Sequence, residues 1–177
     1  MKYAAVLILA FCVLISCGTK SLSAYAAQDV MASTGGKAKR EIRSRQFEKF
    51  FFTVLLPDGY EIEVQDDYED FVVCYIKSGE ALYGGIYFGN HPSSFLAEKE
   101  KDFVKESFFP AVLLGKKIEW EILKAASGAD MKFFAEKLVK VRLSPWTELM
   151  HVWINGNSLD DVKKMIFIYS TIEKISE

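Results

Sequence analysis

The stretch Phe50–Val64, FFFTVLLPDGYEIEV, joins an apolar run to an alternating one through Pro57-Asp58-Gly59. Side chains alternate across a strand, so Phe50, Phe52, Val54 and Leu56 take one face and Phe51, Thr53 and Leu55 the other. A strand that is apolar on both faces is expected to be covered on both. Pro57 cannot donate to a ladder and Gly59 can take positive φ, so the tripeptide reads as a turn. The expectation is a first hairpin, onto which the following chain is built as sheet.

Toward the C-terminus the pattern stays mostly that of strands. Asp66-Asp67-Tyr68-Glu69-Asp70 places four carboxylates in five residues. It lacks the glycine and the spaced ligands of a calcium loop, so it reads as a solvated loop, and no metal or cofactor is expected. Phe71–Lys77 is apolar on both faces, and Cys74 within it reads as a buried, inert thiol. Ser78-Gly79-Glu80 then turns the chain into Ala81–Gly89, with Tyr83 and Tyr87 on one face. Gly84 and Gly85 imply a bulge or the close approach of another backbone.

Ser94 to about Ser107 reads as a weak helix, since seven of the nine residues from Glu98 to Glu106 are charged. Lys117–Lys124 and Met131–Leu143, joined by the turn Ser127-Gly128-Ala129-Asp130, alternate apolar and charged residues as half-exposed strands do. Glu148–Ile154 is apolar on both faces apart from His151. Ser158-Leu159-Asp160-Asp161 opens a helix by its cap, and an apolar stripe carries that helix to about Ile175.

Toward the N-terminus the sequence changes character. Tyr3–Ile15 is an uncharged run with the length of a signal-peptide core. Leu14-Ile15-Ser16-Cys17 resembles a bacterial lipoprotein signal, which makes Cys17 the lipidation site; Ala24-Tyr25-Ala26 offers an ordinary cleavage site instead. Residues 18–46 suit a flexible tether, leaving 47–177 as one domain. Lys37, Lys39, Arg40, Arg43 and Arg45 either meet anionic headgroups or form a solvated first helical turn. The expected location is a bacterial membrane facing the periplasm or exterior.

Twenty-two basic residues against 24 acidic ones give no footprint for nucleic acid. Half the residues are hydrophobic, enough for one sizeable core. Cys74 is left alone in the domain, so no internal disulfide can form. No Gly-x-Ser-x-Gly elbow or His-Glu-x-x-His motif occurs, and no catalytic residue is assigned. The amphipathic side chains Tyr83, Tyr87, His91 and Trp146 form the candidate binding surface.

Leu56-Pro57-Asp58-Gly59-Tyr60, the strand Tyr83–Gly89, the later meander and the helix after Asn157-Ser158-Leu159-Asp160-Asp161 together resemble the PsbP-like family over about residues 47–176. The resemblance implies an α+β fold: a central antiparallel sheet of about six strands with helices on both faces, an α/β/α sandwich closed by the C-terminal helix. It also implies a module that docks on other proteins. The functional expectation is a lipid-anchored cell-envelope protein that binds an envelope partner without catalysis. Two alternatives stand beside it. One is a carrier for a small apolar or aromatic ligand, held between the sheet and the helix at Ser94–Ser107. The other is a hydrolase, which needs His91 or His151 beside a serine or carboxylate in a cleft.

Overall fold

The computed structural model describes residues 37–43, 51–65, 71–94, 102–126, 133–142 and 147–175. All lie in the unit Thr34–Glu177; the unit Met1–Ser33, with Cys17 and the signal core, lies outside the described residues. In chain order the elements are β1 (Lys37–Arg43), β2 (Phe51–Pro57), β3 (Glu61–Gln65), β4 (Val72–Ser78) and β5 (Ala81–Gly89). They continue as β6 (Phe103–Leu113), β7 (Lys116–Ala125), β8 (Phe133–Arg142), β9 (Thr147–Gly156), α1 (Leu159–Ser170) and β10 (Glu173–Lys174). Seven strands form an antiparallel sheet in the order β3-β4-β5-β9-β8-β7-β6, and three form a second sheet, β1-β2-β10.

The expected α/β/α sandwich does not form. The fold is mostly β, and α1 is the one helix among the described residues. Strands that are apolar on both sides do not need helices on both sides. Val72, Cys74 and Ile76 of β4 and Met150, Val152 and Ile154 of β9 face the core under α1. Their other faces are covered by aromatic rings: Trp153 meets Tyr75 edge-on at 6.1 Å, and Tyr87 stacks on Phe71 at 5.3 Å. The apolar area that suggested a second helix layer is thus spent on side chains lying along the sheet.

The opening turn forms, but the hairpin does not. Tyr60 N–H donates to Pro57 O at 3.1 Å and Gly59 takes φ 80°. The turn nevertheless carries the chain from one sheet to the other, because β2 pairs with β1 and β10 while β3 pairs with β4. As the middle strand of the small sheet, β2 buries Phe52, Val54 and Leu56, and Thr53 beside them. Phe52 stacks on Phe88 of β5 at 4.9 Å, fastening the small sheet to the large one. Strand β1 occupies part of the stretch read as tether. It buries Ile42, and its pairing with β2 along all seven residues overrides its charged composition.

Two further segments differ from their reading. Phe103–Leu113, expected to end a charged helix, is the edge strand β6, so the helix does not reach Ser107; residues 95–101 of that stretch lie outside the described residues. An edge strand tolerates Pro110, whose missing donor costs no ladder bond on the free side. The turn into β7 puts Leu114 at φ 51° and Gly115 at φ 73°, a reversed turn that an unremarkable leucine gives no warning of. The helix α1 stops at Ser170. Thr171 caps it, donating to Ile168 O at 2.6 Å and accepting from Leu55 N–H at 2.9 Å, and the chain then pairs with β2 as β10.

The core lies between the large sheet and α1, whose Val162, Met165, Ile166, Ile168 and Tyr169 are buried. Tyr169 stacks on Trp120 of β7 at 6.1 Å, and its hydroxyl donates toward Trp153 O at 2.8 Å and Gly85 O at 3.0 Å. Gly84 permits this approach, since a Cβ there would lie 2.7 Å from the Tyr169 hydroxyl.

Candidate functional site: a cleft where the sheet opens

One seam of the large sheet is incomplete. β6 pairs with β7 along nearly its whole length, and β8 pairs with β9 from Phe133↔Gly156 to Arg142↔Thr147. Between β7 and β8, by contrast, the described pairs are only Leu123↔Phe134 and Lys124↔Phe133. Side-chain chemistry explains why the ladder stops. Continued in the same register, it would set Glu121 against Glu136 and Lys117 against Lys140 on the outer face, and like charges directly opposed destabilise a pair. On the inner face it would set Lys137 against Trp120, which is fully buried in the core. A lysine almost never stays buried without a partner. Parting the strands leaves Lys137 half-buried rather than enclosed.

The parted seam holds a cleft of about 360 Å³. Its walls are Glu121 of β7 and Glu136, Lys137 and Leu138 of β8; its rim is Pro92-Ser93-Ser94 after β5, and His151 of β9 also lines it. His151 Nε2 lies 2.9 Å from Glu136 Oε2, with the two side chains only 8% and 11% exposed. Ser94 Oγ donates to the other carboxylate oxygen, Oε1, at 2.6 Å. Glu136 thereby orients the imidazole through a hydrogen bond from Nε2, and Nδ1 has no partner among the described residues. Glu121 is held from its far side by Lys105 at 2.8 Å, and Lys105 lies 4.4 Å over the Phe108 ring.

These contacts determine what the cleft can do. The Ser94 hydroxyl donates to the Glu136 carboxylate and not to the imidazole, so the base it is coupled to is Glu136, which also holds His151. Glu136 and Glu121 can accept hydrogen bonds from something bound, His151 Nδ1 is left for a further polar contact, and Leu138, 55% exposed, offers apolar contact. Among the described residues no group of three His, Cys, Asp or Glu is placed to hold a metal ion.

The candidate surface of Tyr83, Tyr87, His91 and Trp146 is brought together only in part. His91 N–H donates to the Tyr87 hydroxyl at 3.2 Å. Tyr83 leaves that face because the register shifts opposite it, between Ile76 and Lys77; it packs against the core, with its ring 5.4 Å from Tyr60. The two glycines did mark a bulge, and the bulge undoes the alternation on which the pairing of Tyr83 with Tyr87 depended. Trp146 and the carboxylates at 66–70 lie outside the described residues. Cys74 is fully buried, as expected. His151 meets the condition set for it, beside a carboxylate in a cleft.

Glu121, Glu136 and Ser94 escaped the sequence reading. The register begun by Leu123↔Phe134 and Lys124↔Phe133 is the one that, continued, would bring Glu121 opposite Glu136 and Lys117 opposite Lys140. Compared with protein-family models, curated proteins and solved structures, the chain matches none.

Proposed function

We propose that the chain is an exported bacterial envelope protein, held to a membrane by lipid on Cys17, whose domain is a non-catalytic module that binds a partner protein at the cleft between β7 and β8. The observation that carries the binding role is the mutual fixing of the cleft's polar groups. Ser94 and His151 both hydrogen-bond Glu136, which fixes the polar groups of the cleft for recognition, with the hydroxyl turned to the carboxylate rather than to the imidazole. The largely buried pair His151 and Glu136, pre-organised beside exposed Ser94 and an exposed leucine, suits a binding surface.

The test is affinity capture of the full lipidated chain from gently solubilised membranes, wild type against His151→Gln, with melting curves to show that the variant is folded. A stoichiometric partner held by wild type and lost from the variant is expected; a partner held equally by both refutes the cleft as its site. The anchor is tested separately by Cys17→Ser, which should move the protein to the soluble fraction, and an unchanged membrane fraction would sink it. One observation favours a second reading, a hydrolase. His151 Nδ1 has no partner among the described residues and lies at a cleft, with Glu136 orienting the ring as a general base requires. Turnover of ester or phosphoester substrates by wild type and its loss in His151→Gln would move the protein to that class.

A further inference from the structure

Charge is unevenly placed along the chain. Strand β1 carries Lys37, Lys39, Arg40 and Arg43 against Glu41, a net charge of +3, while the whole chain carries −2. Everything outside β1 therefore sums to −5. The strands of its own sheet leave that excess standing, because β2 is uncharged and β10 adds one glutamate and one lysine. Pairing with β2 turns Ile42 into the core and leaves Lys39, Arg40 and Glu41 exposed. Lys39 lies 3.7 Å from Glu173, but the two side chains are 58% and 73% exposed, and an ion pair so wet holds little.

The place of the small sheet in the fold gives that charge a direction. Phe52 of β2 stacks on Phe88, which belongs to the core under α1, so β1-β2-β10 lies on the inner side of the large sheet. His151 lies on the outer side, since its neighbours Met150 and Val152 are core residues, and Glu136 meets it there. A body laid against the small sheet leaves the cleft uncovered. The chain also supplies a reason for such a body to be near: β1 begins at Lys37, twenty residues after Cys17. Resting on the lipid anchor assigned to Cys17, we propose that the sheet β1-β2-β10 is the face this domain lays against an anionic phospholipid surface. The anchor makes the contact intramolecular, so a weak attraction suffices to keep it. The cleft is then held on the side away from the membrane, open to a partner protein.

The test uses the full chain as Cys17→Ser, so that no acyl chain holds it, pelleted with vesicles of phosphatidylcholine alone or mixed with phosphatidylglycerol. Each cation near an anionic surface changes partitioning about fivefold, so binding should be about a hundredfold stronger on the mixed vesicles at ~20 mM salt. At ~300 mM it should fall toward the phosphatidylcholine value, because salt screens the attraction. In the same background Arg40→Gln should weaken binding to the mixed vesicles about fivefold and Arg40→Glu about thirtyfold, with melting curves showing both folded. Lys117→Glu on β7, where Glu119 and Glu121 already stand beside the lysines, should change it less than about twofold. Equal partitioning on the two kinds of vesicle, or no loss in Arg40→Glu, overturns the proposal and leaves the charges of β1 as guards of a sheet edge. A loss in Lys117→Glu as large as that in Arg40→Glu moves the contact to β7 and overturns it too. The anchor is judged apart, by whether Cys17→Ser leaves cell membranes, and the vesicle ratios judge the sheet whichever way that falls.

Discussion

The bond between α1 and the centre of the sheet can be weighed by removing one oxygen. Tyr169 is fully buried, and its hydroxyl reaches Trp153 O at 2.8 Å and Gly85 O at 3.0 Å on two neighbouring strands. Tyr169→Phe keeps the ring and its stacking on Trp120 but leaves both carbonyls without that donor. Each carbonyl can still accept a ladder bond, so the cost belongs at the lower end of the range for an unsatisfied buried group, ~1–2 kcal/mol. For a chain of this size that corresponds to a fall in Tm of about 4 °C. Gly84→Ala attacks the same junction from the other side, since its Cβ would press on the Tyr169 hydroxyl and on the Trp153 carbonyl. Overpacking against backbone should cost ~3 kcal/mol. In the double variant one of the two clashes is gone, so the combined loss should fall short of the sum by ~1 kcal/mol. Urea denaturation of the four proteins measures all three quantities. A Tyr169→Phe cost below ~0.5 kcal/mol, or strict additivity, would show that the hydroxyl does not hold the helix to the sheet.

Two further outcomes follow from single residues. Burial, with Tyr83 and Asp161 adding to it, pushes the Tyr60 phenol from 10.0 up to about 12, and burial holds Tyr169 well above the ordinary value. The folded protein therefore keeps these protons after the unfolded chain has lost them, so stability is complete below pH 10 and declines as pH rises toward 12 and beyond. Melting curves across that range should show the decline, and Tyr60→Phe should flatten part of it; an unaltered slope refutes the assignment. At the turn between the sheets, Gly59→Ala should cost ~1–2 kcal/mol because φ 80° is strained for a side chain, whereas Gly59→Asn should cost less. Equal urea midpoints for the two variants would mean that the left-handed backbone is not what the glycine supplies.

Local chemistry was readable wherever it acts over a few residues. The Pro57-Asp58-Gly59 turn, the Ser158 cap, the burial of Cys74 and strands over 71–77, 117–124 and 148–154 all follow from turn residues, caps and alternation. The failures arise where a distant pairing decides. Lys37–Arg43 contains only two apolar residues, and it becomes a strand because β2 offers it a full edge. Phe103–Leu113 looked helical at its charged start and becomes a strand through β7. The candidate surface failed at Tyr83 for a related reason: a bulge is a property of two strands, whereas alternation is read from one. The cleft residues Ser94, Glu136 and His151 lie on three different elements, and no spacing in the chain relates them.

The sequence alone determined the turn geometry, the cap of α1 and the charges of β7 and β8, since each depends on φ preferences or side-chain types within a short stretch. Tertiary structure alone decided that β2 and β3 enter different sheets. It also covered the second faces of the inner strands with aromatic rings in place of helices, and it brought His151 to Glu136. The physical reason is that burial and strand pairing depend on which surfaces meet, and apolar area is satisfied equally well by a helix or by neighbouring rings. The seam between β7 and β8 belongs to both. Its like charges are written in the chain, and they come to bear only because the register begun at Leu123↔Phe134 would bring them face to face if it continued.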